Sequence, residues 1–155
     1  MNTIILIPAR HASTRYPGKP LVGLKGMTGI AKPLIQRSVE AARRVSGVSG
    51  VFVVTDDERI AEACAPARVG VIMTSAECRN GTERCAEALA HLHEPDFVIN
   101  FQGDALLTPP SFVEALIEQM ERDPDTLVAT PAMRLKDEEV EALRREQAAG
   151  RVGGR

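Results

Sequence analysis

Apolar residues in this chain fall into short runs separated by longer stretches of helical period. Ile4-Ile5-Leu6-Ile7 is the first run, too short for a helix core and β-branched enough for a strand buried on both faces. Residues 32–45 predict a helix, with Ile35, Val39 and Ala42 at i, i+4 and i+7. Residues 51–55 read as a second buried strand, after which Asp56-Asp57-Glu58 open a short helix carrying Ile60, Ala61 and Cys64. The pattern continues with a strand over 69–73, a helix over 82–92, a strand over 97–101 and a helix over 110–121. It closes with a strand over 127–130 and a mostly charged helix over 137–147. Strand–helix units repeated at this length predict an α/β fold in three layers, a mostly parallel sheet with helices on both faces. No linker or repeat divides the 155 residues, which read as one domain with a frayed tail over 146–155.

Ligands of such sheets bind beyond the carboxyl ends of the strands. That places the search in residues 8–19, 55–57 and 102–104. The first of these segments is cationic. No acid precedes Glu40, whereas Arg10, Arg15, Lys19, Lys25, Lys32 and Arg37 all do, so in a chain of net charge −2 the remainder carries −8. Arg10, Arg15 and Lys19 supply charge, Ser13 and Thr14 supply hydroxyls, and Gly18 lets backbone approach a ligand, a set that suits a triphosphate. The loop is not a Walker A motif, which needs glycine where Ser13 stands and Ser or Thr where Pro20 stands. The competing reading is a solvated loop whose basic residues pair with acids elsewhere.

Asn100-Phe101-Gln102-Gly103-Asp104 delivers a carboxylate at a strand exit. Mg²⁺ arriving with a nucleoside triphosphate takes one or two carboxylates plus phosphate oxygens, and Asp104 suits that role; it equally suits a plain turn. For Asp56-Asp57 the better reading is a helix cap. Arg79-Asn80-Gly81-Thr82 is a turn entering a helix, with Thr82 able to cap; its exposed backbone could read a base edge or do nothing more than start the helix.

Composition narrows the classes. With 44% apolar and 26% charged residues the chain is globular. A pI near 5.9 argues against nucleic acid as partner. No apolar stretch spans a membrane and no signal-peptide pattern follows Met1, so the expectation is cytoplasmic. Cys64, Cys78 and Cys85 are odd in number and form no C-x-x-C pair, which indicates neither a disulfide framework nor zinc; Cys64 and Cys85 read as core. His91 and His93, two apart, do not share a helix face.

Several blocks together resemble the sugar-acid cytidylyltransferases, in particular the 3-deoxy-manno-octulosonate cytidylyltransferase family. They are Ile7-Pro8-Ala9-Arg10, Ala12-Ser13-Thr14-Arg15, Pro17-Gly18-Lys19-Pro20-Leu21, Val54-Thr55-Asp56-Asp57, Met73-Thr74, Gly81-Thr82-Glu83-Arg84 and Asn100-Phe101-Gln102-Gly103-Asp104. The resemblance covers most of residues 3–135. It implies a Rossmann-like nucleotide-diphospho-sugar transferase fold. It also implies Mg²⁺-dependent transfer of CMP from CTP to a 2-keto sugar acid, with release of pyrophosphate, for lipopolysaccharide synthesis. On that resemblance Arg10 and Lys19 hold the triphosphate and Asp104 binds Mg²⁺, these three being catalytic. Pro8, Ala9, Ser13, Arg15, Arg79, Asn80, Gly81, Thr82 and Gln102 bind CTP and the sugar acid, and a homodimer is the assembly implied. Departures are Ala105-Leu106 where the family carries Glu-Pro, and Cys78 and Asn80 before the Gly-Thr turn. Family chains run longer, so the expectation is a truncated fold with an intact CTP loop and an incomplete sugar site. The alternatives are a non-catalytic CTP-binding module or a relative acting on another acid such as a neuraminate.

Overall fold

The structure is a computed structural model that describes residues 1–12, 16–132 and 134–150. In chain order the described strands are β1 (Thr3–Ala9), β2 (Gly23–Lys25), β3 (Ala31–Pro33), β4 (Gly50–Thr55), β5 (Gly70–Met73) and β6 (Phe97–Asn100). The described α-helices are α1 (Leu34–Ala42), α2 (Glu58–Cys64), α3 (Gly81–Ala88), α4 (Pro110–Arg122) and α5 (Asp137–Ala148). Four strands form one parallel sheet in the order β5-β4-β1-β6, with Ile7 opposite Val53, Val54 opposite Ile72 and Ile5 opposite Ile99. All four therefore end at the same edge, as the alternating pattern requires.

The run at 4–7 is apolar throughout because β1 is central and covered on both sides. Ile5, Ile7 and Ala9 point to one face and join Ile35 and Val39 of α1, Ile60 and Cys64 of α2, and Val113 and Ile117 of α4. Ile4 and Leu6 point to the other, against Cys85 and Ala88 of α3. Period 2 in the strand thus meets period 3.6 in the helices, and three layers result. Cys64 and Cys85 are core residues, as expected; burial pushes their thiols up to about 11 and about 12, out of reach of redox or metal chemistry at neutral pH.

Asp57 is the N-cap of α2. Its carboxylate accepts the backbone N–H of Arg59 at 3.0 Å and pairs with that residue's guanidinium at 2.6 Å, and these bonds hold the carboxyl below its ordinary range. Asp57→Ala should cost about 1 kcal/mol, the usual worth of an N-cap, and lower Tm by roughly 2–4 °C in a thermal melt. Since the native carboxyl titrates low, that advantage over the alanine variant holds above the ordinary Asp pKa and fades as the pH falls through the native one. Equal melting of the two proteins at pH 7 would remove the cap from the account.

Four sequence expectations are corrected. Residues 127–130 form no strand, because β6 pairs only with β1 among the described residues and the chain after α4 does not return to the sheet; Leu127 and Val128 are 89% and 83% exposed. Lys32 is not helical but lies in β3, in a two-stranded antiparallel hairpin with β2 that the long loop before α1 concealed. Met73 ends β5, but α3 stops at Ala88 and only a single 3₁₀ turn continues it to His91. Residues 146–148 belong to α5 rather than to a frayed tail, the helix starting where the Glu139 carboxylate takes the backbone N–H of Lys136 at 2.8 Å; 151–155 lie outside the described residues. No helix among the described residues is long and apolar enough to cross a membrane.

Candidate functional site

The strand exits at the carboxyl edge bring together most of the residues that the sequence singles out. Gly18 begins this arrangement. Its φ of 69° is left-handed backbone that suits glycine, and its N–H donates to the His11 carbonyl at 2.9 Å, drawing together the ends of the loop that follows β1. Lys19 leads the 3₁₀ turn that follows, so its side chain leaves a fixed backbone. Ser13 and Arg15, assigned to the triphosphate on resemblance, lie outside the described residues.

Across the edge, the exit of β6 is pinned from within the core. Ser38 of α1, completely buried, donates to the Gly103 carbonyl at 2.5 Å. The backbone then turns, the Ala105 N–H donating to the Gln102 carbonyl at 2.9 Å, and Asp104 stands at the bend. Lys19 Nζ lies 2.6 Å from Asp104 Oδ2, both side chains about half exposed (47% and 57%). The cation read as a phosphate ligand and the carboxylate read as a metal ligand are thus in contact. They border a cleft of about 590 Å³ whose other walls are Tyr16, Val22, Leu24, Leu34 and Leu106.

A second, smaller cleft of about 180 Å³ is lined by Pro8, Ala9, Arg10, Asn80, Gly81, Arg84 and Gln102. Gly81 sits tightly in it: a Cβ there would stand 3.0 Å from Pro8 Cγ, so the start of α3 packs closely against the exit of β1. Asn80 is the N-cap of α3, its side chain accepting the Glu83 N–H at 2.9 Å. This corrects the expectation that Thr82 caps; Thr82 instead takes a hydrogen bond from Asn100 Nδ2 at 3.3 Å, while Gln102 Nε2 donates to Asn100 Oδ1 at 3.0 Å. Arg10 spans the cleft to the turn, Nη1 donating to the Arg79 carbonyl at 3.3 Å.

Sequence reasoning missed how tightly the segment 74–80 is held. Glu83 accepts the Arg79 backbone N–H and Nε, each at 2.9 Å, and Glu87 accepts the Ser75 N–H at 2.7 Å and the Cys78 thiol at 3.0 Å. The Arg79 hydrogen bond keeps Glu83 ionised below its ordinary pKa, and the Glu87 carboxylate raises the Cys78 thiol. The Arg79 side chain, 85% exposed, is therefore tied to Glu83 of α3 and does not line the cleft. Arg84 was also passed over, though it was legible: it lies three residues after Gly81 and four before Ala88, on the inward face of α3.

Among the described residues no group of three His, Cys, Asp or Glu could hold an ion by itself. A single exposed carboxylate beside a cationic loop fits an ion that enters on phosphates, since Mg²⁺ keeps few protein ligands when phosphate oxygens complete its shell.

Comparison with known proteins bears on the family and the fold. The family model described as cytidylyltransferase matches residues 4–149, further along the chain than the blocks that carry the resemblance. A 3-deoxy-manno-octulosonate cytidylyltransferase from Maricaulis maris is 42% identical over 155 residues, 99% of this chain and 58% of that protein. One from Zea mays is 47% identical over 135 residues, 86% of this chain and 44% of its own. An 8-amino-3,8-dideoxy-manno-octulosonate cytidylyltransferase from Shewanella piezotolerans is 41% identical over 142 residues, 90% of this chain and 56% of its own. Among solved structures, CMP:2-keto-3-deoxy-manno-octonic acid synthetase complexed with CTP superposes with a TM-score of 0.74 at 40% identity, over 81% of this chain and 49% of the other. The chain spans about half the length of the relatives it matches.

Proposed function

We propose that this chain, which belongs to the cytidylyltransferase family, supplies the nucleotide site for transfer of CMP from CTP to a 3-deoxy-manno-octulosonate-type sugar acid, with release of pyrophosphate. One observation carries the reading. The exits of β1 and β6 and the first turn of α3 line two clefts, one bordered by the Lys19–Asp104 contact and the other with Gly81 set close against Pro8.

The residues divide by chemistry. Lys19 from the larger cleft and Arg10 from the smaller neutralise the triphosphate, the group on which charge builds as the sugar hydroxyl attacks the α-phosphorus and pyrophosphate leaves. Pro8, Ala9 and Gly81 form apolar walls for the base, and the backbone of the 79–82 turn offers N–H and C=O groups to its edge. Gln102, held by Asn100, faces the junction of nucleotide and sugar acid. Asp104 would hold Mg²⁺, which supplies electrostatic stabilisation of phosphate charge when bound. In the structure Asp104 faces Lys19 instead; ligand binding would part the two, Lys19 turning to the phosphates and Asp104 to the metal.

A calorimetric titration with CTP, with and without Mg²⁺ and with GTP as control, tests the reading. Micromolar, Mg²⁺-enhanced, CTP-selective binding is expected, and a folded sample that binds neither nucleotide refutes it. Pyrophosphate release with 3-deoxy-manno-octulosonate and with its 8-amino-8-deoxy analogue then chooses between the acids named for the relatives. Asp104→Asn should abolish the Mg²⁺ enhancement and leave metal-free CTP binding intact; an enhancement that survives places the metal on another residue.

A further inference from the structure

Arg84 is the largest fully buried side chain among the described residues, 2% exposed, and it borders the smaller cleft. Burying a guanidinium is costly unless its donors are met, and an apolar side chain of similar volume often serves stability as well or better. Its partners show what the charge does there. Nη1 donates to Thr74 Oγ1 at 2.6 Å and to the Ser75 carbonyl at 3.4 Å, and Nη2 stands 3.2 Å from Asp56 Oδ2. Asp56 follows β4 and Thr74 follows β5, so one planar fork joins two neighbouring strand exits to the first turn of α3. Asp56 Oδ1 is buried with no hydrogen-bond partner among the described residues, so the ion pair with Arg84 holds this carboxylate in place.

The same helix holds the 74–80 segment from outside through Glu83 and Glu87. Inner fork and outer carboxylates together fix the backbone that leads into Asn80 and Gly81, which closes on Pro8. Cytosine and uracil differ at two neighbouring ring positions, where cytosine offers an acceptor nitrogen and a donor amine and uracil offers a donor N–H and an acceptor oxygen. Backbone groups tell such patterns apart only when held in place, because a shifted donor or acceptor pairs with either base.

We propose that Arg84 is a positioning residue for base selection: by tying Asp56 and Thr74 to α3 it fixes the turn at 79–82 against Pro8 and thereby sets the preference for cytosine over uracil. The proposal rests on the nucleotide reading above. Two variants test it. Arg84→Lys keeps the charge against Asp56 but loses the fork, and Thr74→Val is isosteric and deletes only the 2.6 Å hydrogen bond. Dissociation constants for CTP, UTP and inorganic tripolyphosphate would be measured by calorimetry, with circular dichroism to establish folding. Both variants should keep the wild-type affinity for tripolyphosphate while the CTP-over-UTP preference falls by about tenfold. A folded Arg84→Lys with the wild-type preference overturns the proposal, as does an equal loss for all three ligands, which would mark a merely structural role. Should Arg84→Lys not fold, Thr74→Val decides by the same criteria. Wild-type protein that binds no nucleotide overturns the site itself, an outcome distinct from bound nucleotide with unaltered selection.

Discussion

Lys19→Ala is expected to remove CTP binding from the range of a micromolar titration while leaving the fold intact. The two effects separate because Lys19 has two different partners in the two states. Without nucleotide it faces Asp104 in a half-exposed ion pair, and exposed pairs are worth about 0–1 kcal/mol, so Tm should scarcely move. With nucleotide it would face a triphosphate in a narrow cationic loop, where a charge-assisted hydrogen bond is worth about 1.5–3 kcal/mol, or roughly tenfold to a hundredfold in affinity. The loss should extend to inorganic tripolyphosphate, since the lysine meets phosphate and not base. Unchanged CTP affinity in a folded Lys19→Ala protein would sink the triphosphate role and with it the assignment of the loop after β1.

Gly103→Ala should damage stability and binding together. A Cβ at this position would stand 2.9 Å from the Pro8 carbonyl oxygen, closer than carbon and oxygen tolerate, and the obstacle is backbone rather than a side chain that could swing away. The exit of β6 must then move off the exit of β1, against the Ser38 hydroxyl that holds the Gly103 carbonyl at 2.5 Å. Overpacking of this kind costs about 1–3 kcal/mol, which at this size lowers Tm by several degrees. Gln102 and Asp104, the neighbours on either side, would be carried out of register with Lys19 and Pro8, so CTP affinity should fall by about tenfold or more, the usual result of misplacing binding groups by a fraction of an ångström. A Gly103→Ala protein with native melting and native affinity would show that this close approach is not needed.

Much of the architecture was legible because the interactions that specify it are local. Ile4-Ile5-Leu6-Ile7 has no polar position at any period, which only a strand covered on both sides can satisfy, and the helical spacing of Ile35, Val39 and Ala42 supplies one of the covers. Asp57 announced the start of α2 because capping depends on a side chain two residues from the N–H it serves. The charge asymmetry of the first 39 residues, and the glycines at 18 and 103, marked the loops at the carboxyl edge by composition alone.

Other features were decided only when distant segments met. Leu127 and Val128 look like a strand by composition, but a strand exists only through a hydrogen-bonded neighbour, and these residues stay exposed and pair with no strand among the described residues. The contact of Lys19 with Asp104 joins positions 85 apart, and that of Arg84 with Asp56 joins 28; no periodicity reports either. The purpose of Gly103 lies in the place of Pro8, whose carbonyl it approaches too closely for a side chain, and Gly81 packs tightly against the ring of the same proline. Sequence by itself thus determined the four strands of the parallel sheet, the helices that cover them and where charge collects, since those follow from short-range spacing and solvation. The tertiary structure alone decided which charges are paired, which polar groups are buried and how near two strand exits come, because burial and pairing are properties of segments brought together through space.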